Sequence, residues 1–95
     1  MKQIMKVEDS FSTNEAGVII SGVNPEFDSL EPAEIKKYIG SKVRIVSNDG
    51  QELEANVRDV AISESLVGKK NISISLGEIK DVEKIGRGSI IYMNE

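Results

Sequence analysis

Carboxylates and amines make up nearly all the reactive side-chain chemistry of this chain: 16 Asp and Glu, 12 Lys and Arg, no His and no Cys. Without a thiol there is no Cys nucleophile, no disulfide and no thiolate ligand for zinc or an iron–sulfur cluster. Without an imidazole, the commonest general base near neutral pH and the commonest transition-metal ligand are both missing. Acid–base work by paired carboxylates and phosphate binding by a glycine-rich loop remain. Glu52 and Glu54 stand two apart, which on a strand puts them on one face, the pattern a solvated edge also shows. Asp9 falls in phase with Met5, Val7 and Phe11. It is either drawn inward to pair with Arg58 or Arg87, or set at a bulge facing water, and the second is expected. Gly68-Lys69 has the glycine–lysine pair of a phosphate loop, but that motif needs Gly where Ser63 stands and Ser or Thr where Lys70 stands. Gly86-Arg87-Gly88 is too short for a dinucleotide fingerprint and opens a strand, so both glycine motifs read as turns. Asn71-Ile72-Ser73 matches a glycosylation acceptor but sits inside a strand pattern. The chain is expected to be no enzyme and to take no cofactor or metal.

Charge says more than any motif. The formal net charge is −4. No Lys or Arg occurs between Lys6 and Lys36, a stretch that holds Glu8, Asp9, Glu15, Glu26, Asp28, Glu31 and Glu34. This is either a solvated acidic surface or a docking face for a basic protein partner, for which Glu26, Asp28, Glu31 and Glu34 are the candidate contacts. Lys69, Lys70, Lys80, Lys84 and Arg87 gather in the second half, with Glu64, Glu78, Asp81 and Glu83 among them. Nucleic-acid binding asks for a basic surface interleaved with aromatic rings. Only Phe11, Phe27, Tyr38 and Tyr92 are aromatic. RNA is therefore the second expectation, with Lys69, Lys70 and Arg87 as its candidate contacts. No window approaches a membrane span and the first residues lack a signal-peptide pattern, so a soluble cytoplasmic protein is expected.

These residues need a scaffold, and 95 residues with 39% hydrophobic content predict one domain with one aliphatic core. Strands are predicted at about 4–11, 18–23, 71–76 and 89–93. Val43 and Ile45, then Leu53, Ala55 and Val57, alternate around Asn48-Asp49-Gly50, which predicts a hairpin. The alternation slips by one before Val60 and Ile62, which predicts a bulge near Arg58-Asp59 inside one long strand. Ser63 to Lys70 reads as a polar loop. Gly77 to Gly88 reads as a longer connection anchored by Ile79, Val82 and Ile85. One short helix is predicted at about 31–39. Pro32 suits the first helical position, Leu30 and Ile35 the staple positions, and Gly40 the stop. Lys36 and Lys37 complement the dipole at its end.

Val-Glu-Asp-Ser-Phe-Ser at 7–12, Ala-Gly-Val-Ile-Ile-Ser-Gly at 16–22, Gly-Ser-Lys-Val-Arg-Ile at 40–45, Asn-Ile-Ser-Ile-Ser-Leu at 71–76 and Gly-Arg-Gly-Ser-Ile-Ile at 86–91 follow one another in a familiar order. Together they resemble the second domain of translational GTPases, the elongation-factor-Tu-like β-barrel. The resemblance implies an all-β fold, a six-stranded Greek-key-type barrel with the short helix between strands 2 and 3, and a link to RNA or the ribosome. The chain has no GTPase domain, the segment from Glu26 to Ile39 is longer than in that family, and the basic character is diluted. The function expected from the residues is thus a non-catalytic binding module acting through protein contact, such as a small acidic inhibitor or immunity-type protein, with an RNA- or ribosome-associated domain as the alternative.

Overall fold

Apolar residues at every second position form strands that bury one face, and the computed structural model, which describes residues 3–13, 17–77 and 85–93, contains seven. They are β1 (Gln3–Thr13), β2 (Gly17–Val23), β3 (Lys42–Val46), β4 (Glu52–Asn56), β5 (Asp59–Glu64), β6 (Lys70–Gly77) and β7 (Ile90–Met93). All belong to one antiparallel sheet in the order β4-β3-β7-β1-β2-β6-β5. One face carries Ile4, Met5, Val7, Val18, Ile20, Val43, Ile45, Ile72, Ile74, Leu76 and Ile91, all buried in a single aliphatic core.

The sequence expectation is a six-stranded barrel, closed or nearly closed; the sheet of the described residues instead has seven strands and does not close. The predicted long strand after the Asn48-Asp49-Gly50 turn is divided: β4 pairs with β3 at one edge of the sheet, and β5 pairs with β6 at the other. Laid flat, seven strands would hold those edges about 29 Å apart, six spacings of about 4.8 Å. Yet only Val57 and Arg58 separate β4 from β5, and three Cα steps reach about 11 Å. The sheet must therefore be rolled until its edges approach. Hydrogen bonds mark the corner: Val57 N–H still donates to the Ser41 carbonyl beside β3 (2.8 Å), whereas Arg58 N–H donates to Ser75 on β6 (2.8 Å). Among the described residues no ladder joins β4 to β5, so the roll stays open.

The phase slip predicted near Arg58-Asp59 lies at this corner. Asp59 is the register partner of Ser75 and Arg58 bonds to the same residue, so two residues oppose one, as in a bulge. The slip lets Ala55 before the corner and Val60 after it both reach the core. Another irregularity, between Val7 and Asp9, resets the phase of β1. Asp9 consequently faces solvent, and Phe11, in phase with Val7 by sequence, is half exposed.

The helix forms as its signals require. The sole α-helix of the described residues, α1 (Pro32–Ile39), has Glu31 at its N-cap in extended conformation and Pro32 at the first turn. Ile35 and Ile39, four apart, enter the core, with Leu30 packed against it. Of the predicted anchors in the β6–β7 connection, Ile85 is buried, while Ile79 and Val82 lie outside the described residues. Residues 14–16, between β1 and β2, also lie outside the described residues.

Gly17 and Gly50 separate two demands on glycine. Both have positive φ, +70° and +86°, but a Cβ on Gly17 would overlap the Gly77 backbone, whereas nothing lies within 4 Å of one on Gly50. Gly50→Ala should lower stability by about 1–2 kcal/mol, the backbone term alone. Gly17→Ala should lower it by several kcal/mol, because two paired strands must also separate. Urea unfolding of both variants checks the order.

Candidate functional site

The acidic candidates lie on the connection between β2 and β3, which is fixed to the sheet at two points. Asn24 leads: its Oδ1 accepts from the Glu26 N–H (3.0 Å), capping a 3-10 turn at Pro25–Phe27, and its Nδ2 donates to the Ile4 carbonyl (2.7 Å). Phe27 then drops into the core and stacks on Tyr38 of α1, ring centroids 5.7 Å apart. The second fixing point is Asp28. Its Oδ1 accepts from the Lys70 backbone N–H (3.0 Å), and its carbonyl accepts from Lys70 Nζ. Between and beyond these points Glu26, Glu31 and Glu34 are exposed, and none forms an ion pair with a described residue.

Asp28 and Lys70 came from rival expectations, one for a protein partner and one for RNA, and the fold spends them on each other. Lys70 is only 8% exposed. A buried ammonium needs compensating partners, and Lys70 has the Asp28 carbonyl and the Glu64 carboxylate at 3.8 Å. It is a structural strut whose charge is turned inward, away from any phosphate.

Lys69 and Arg87, the other RNA candidates, are exposed but not brought together. Lys69 closes the turn between β5 and β6. Arg87 sits in the turn before β7, beside β1, where Gly88 N–H donates to the Val7 carbonyl (2.8 Å) and the Arg87 carbonyl accepts from Asn48 Nδ2 (2.7 Å). β1 and β2 lie between Arg87 and β6. Arg87 lines a groove of about 380 Å³ with Glu8, Asp9 and Phe11, and another with Lys6 and Glu8. Lys80 and Lys84 lie outside the described residues. On the face of β3 and β4, Arg44 meets Glu54 at 3.1 Å and Glu52 at 3.9 Å, which makes those two acids a solvated cross-strand ion cluster.

No family model, curated protein or solved structure matches the chain. Function must therefore be read from its own surface. Among the described residues no group of three or more Asp, Glu, His or Cys is placed to hold a metal ion, and no helix is long and apolar enough to cross a membrane.

One surface feature escaped the sequence reading. The predicted polar loop from Ser63 to Lys70 is the end of a tight β5–β6 hairpin, and its tip is Leu66 and Val67, 108% and 79% exposed. The Ser-x-x-Gly spacing that it shares with Ser47–Gly50 was a usable signal, hidden by the polar neighbours on either side.

Strut and surface lysine are separable by substitution. Lys70→Ala should lower stability by about 1–3 kcal/mol, the range for leaving a buried polar partner unmade. Lys69→Ala should stay within about 0.5 kcal/mol of the parent. Thermal or urea unfolding of the two variants decides whether the adjacent lysines have these different duties.

Proposed function

We propose that this protein is a non-catalytic binding module that docks a basic protein partner through the acidic connection between β2 and β3. The carrying observation is that Glu26, Glu31 and Glu34 are exposed on a segment already fixed through Asn24 to Ile4 and through Asp28 to Lys70. A backbone segment held in place before binding loses less conformational freedom when a partner arrives, and its carboxylates steer a basic partner from a distance. In this proposal Asp28 is a support and Glu26, Glu31 and Glu34 are the contacts. A small acidic inhibitor or immunity-type protein facing a basic enzyme is the form that fits, in keeping with a net charge of −4.

The proposal extends to kinship. The open roll is taken as a divergent form of the six-stranded barrel in the second domain of translational GTPases, with β4 and β5 as the two halves of one bent strand. RNA contact has less support, since Lys70 is engaged and the groove that Arg87 lines also holds Glu8 and Asp9.

The test compares the full chain with its E26K/E31K/E34K variant as immobilised bait in lysate of the source cell. The parent should retain a protein, and the variant should retain it at least about tenfold less, because like-charge juxtaposition costs several kcal/mol. Poly(U) RNA at about 0.15 M salt should bind neither bait. Tight RNA binding that disappears in K69A/R87A, or retention indifferent to the charge reversals, would overturn the proposal.

A further inference from the structure

Two turns of this chain share one hydrogen-bond pattern and differ in what they display. In the first, Ser47 N–H donates to the Gln51 carbonyl (2.9 Å) and Gly50 N–H to the Ser47 carbonyl (3.0 Å). In the second, Ser65 N–H donates to the Lys69 carbonyl (2.8 Å) and Gly68 N–H to the Ser65 carbonyl (3.0 Å). Gly50 and Gly68 occupy the same position with φ of +86° and +83°. This is a three-residue hairpin loop built on a tight turn and a left-handed glycine. The two middle positions hold Asn48 and Asp49 in one turn and Leu66 and Val67 in the other. Asn and Asp are what such a turn prefers, and a β-branched residue is not. The shared geometry therefore leaves the choice of Leu66 and Val67 unexplained by folding, and neither side chain is buried within the chain.

The tip is held firmly. Lys69 N–H also donates to Ser65 Oγ (3.2 Å), and the next residue is Lys70, bonded to Asp28. That bond also places the tip at the same end of the sheet as the acidic connection. Val23, the last residue of β2, pairs with Asn71, one residue past Lys70.

We infer that Leu66 and Val67 form the apolar anchor of the same interface, inserting into an apolar pocket flanked by Lys or Arg on a protein partner. The inference rests on the acidic docking surface proposed above and names the rest of its chemistry. Two side chains fall well short of the roughly 800 Å² per partner that a stable interface buries, so the tip must be joined by neighbouring contacts. Glu64 ends β5 just before the turn, and the connection that carries Glu26 and Glu31 meets the hairpin through Asp28 and Lys70, so the carboxylates of this end outnumber Lys69 and ask for a basic rim. The same carboxylates repel anionic headgroups, and in a two-fold contact with a second copy they would face themselves. Exposed apolar residues that fill a pocket within a charged surround are the arrangement of an interface hot spot.

The experiment titrates the full, isotopically labelled chain with a cationic peptide alternating Lys and Leu, with polylysine, and with phosphatidylcholine–phosphatidylserine vesicles, following backbone amide resonances. The variants are L66N/V67D, which copies the middle residues of the sister turn and so protects the fold, and E26K/E31K/E34K. The Lys–Leu peptide should shift the amides of Ser65 to Lys69 together with those of the acidic connection. L66N/V67D should weaken that peptide about tenfold or more, bind polylysine no more weakly than the parent because the new carboxylate adds to the acidic surface, and unfold at the same or a higher temperature than the parent. The inference is overturned if L66N/V67D binds the Lys–Leu peptide like the parent, if vesicles shift the tip amides, or if dilution alone shifts them. Should the charge variant lose both ligands while L66N/V67D loses neither, the acidic surface stands and the anchor falls. Should the charge variant bind both ligands like the parent, the acidic surface falls and the basic-rimmed partner with it.

Discussion

A link of two residues governs this architecture. Val57 and Arg58 carry the chain from the strand at one edge of the sheet to the strand at the other, and no flat arrangement lets so short a link span seven strands. Rolling follows, and from rolling comes the enclosed core of Ile, Val and Leu with Phe27 as its one fully buried ring. The helix is a consequence as well. Ile35 and Ile39 join that core from a segment connecting two strands, β2 and β3, that are not neighbours. A core this poor in aromatic residues depends on many close aliphatic contacts; register shifts lie between Gln3 and Met5 and between Val7 and Asp9 of β1, and Arg58 and Asp59 share Ser75 at the corner. Each irregularity lets neighbouring residues turn to the same interior.

Local signals made the local structure legible. Pro32, Gly40 and the spacing of Leu30, Ile35 and Ile39 locate α1 within a residue, since capping and face periodicity are properties of a short segment. Asn48-Asp49-Gly50 locates the β3–β4 hairpin for the same reason. The slip near Arg58-Asp59 was visible, but its meaning was not: alternation reads identically whether a strand continues against β3 or changes partner to β6. Phe11 was misplaced because a phase reset upstream cannot be seen in the spacing of four residues. The exposure of Glu26, Glu31 and Glu34 was legible from residue type. The duty of Asp28 was not, because its partner Lys70 lies 42 positions away and nothing in either neighbourhood names the other.

The surface divides by duty. Charged residues that pair across strands, such as Arg44 with Glu54, or that brace a loop, such as Lys70 with Asp28, are already spent within the fold. Glu26, Glu31 and Glu34 are not, and neither are Leu66 and Val67.

The position of β7 has a further consequence. Only four residues long, it stands between β1 and β3 and pairs with both. It is also the last of the seven strands to leave a ribosome. Until it arrives, β3 and β4 form one ribbon and β1, β2, β6 and β5 another, each with an unsatisfied border along the missing track. Such long-range closure is slow compared with hairpin formation. The closing of the sheet along β7 thus rests on pairings far apart in sequence, Gln3 with Tyr92 on one side and Val43 with Met93 on the other.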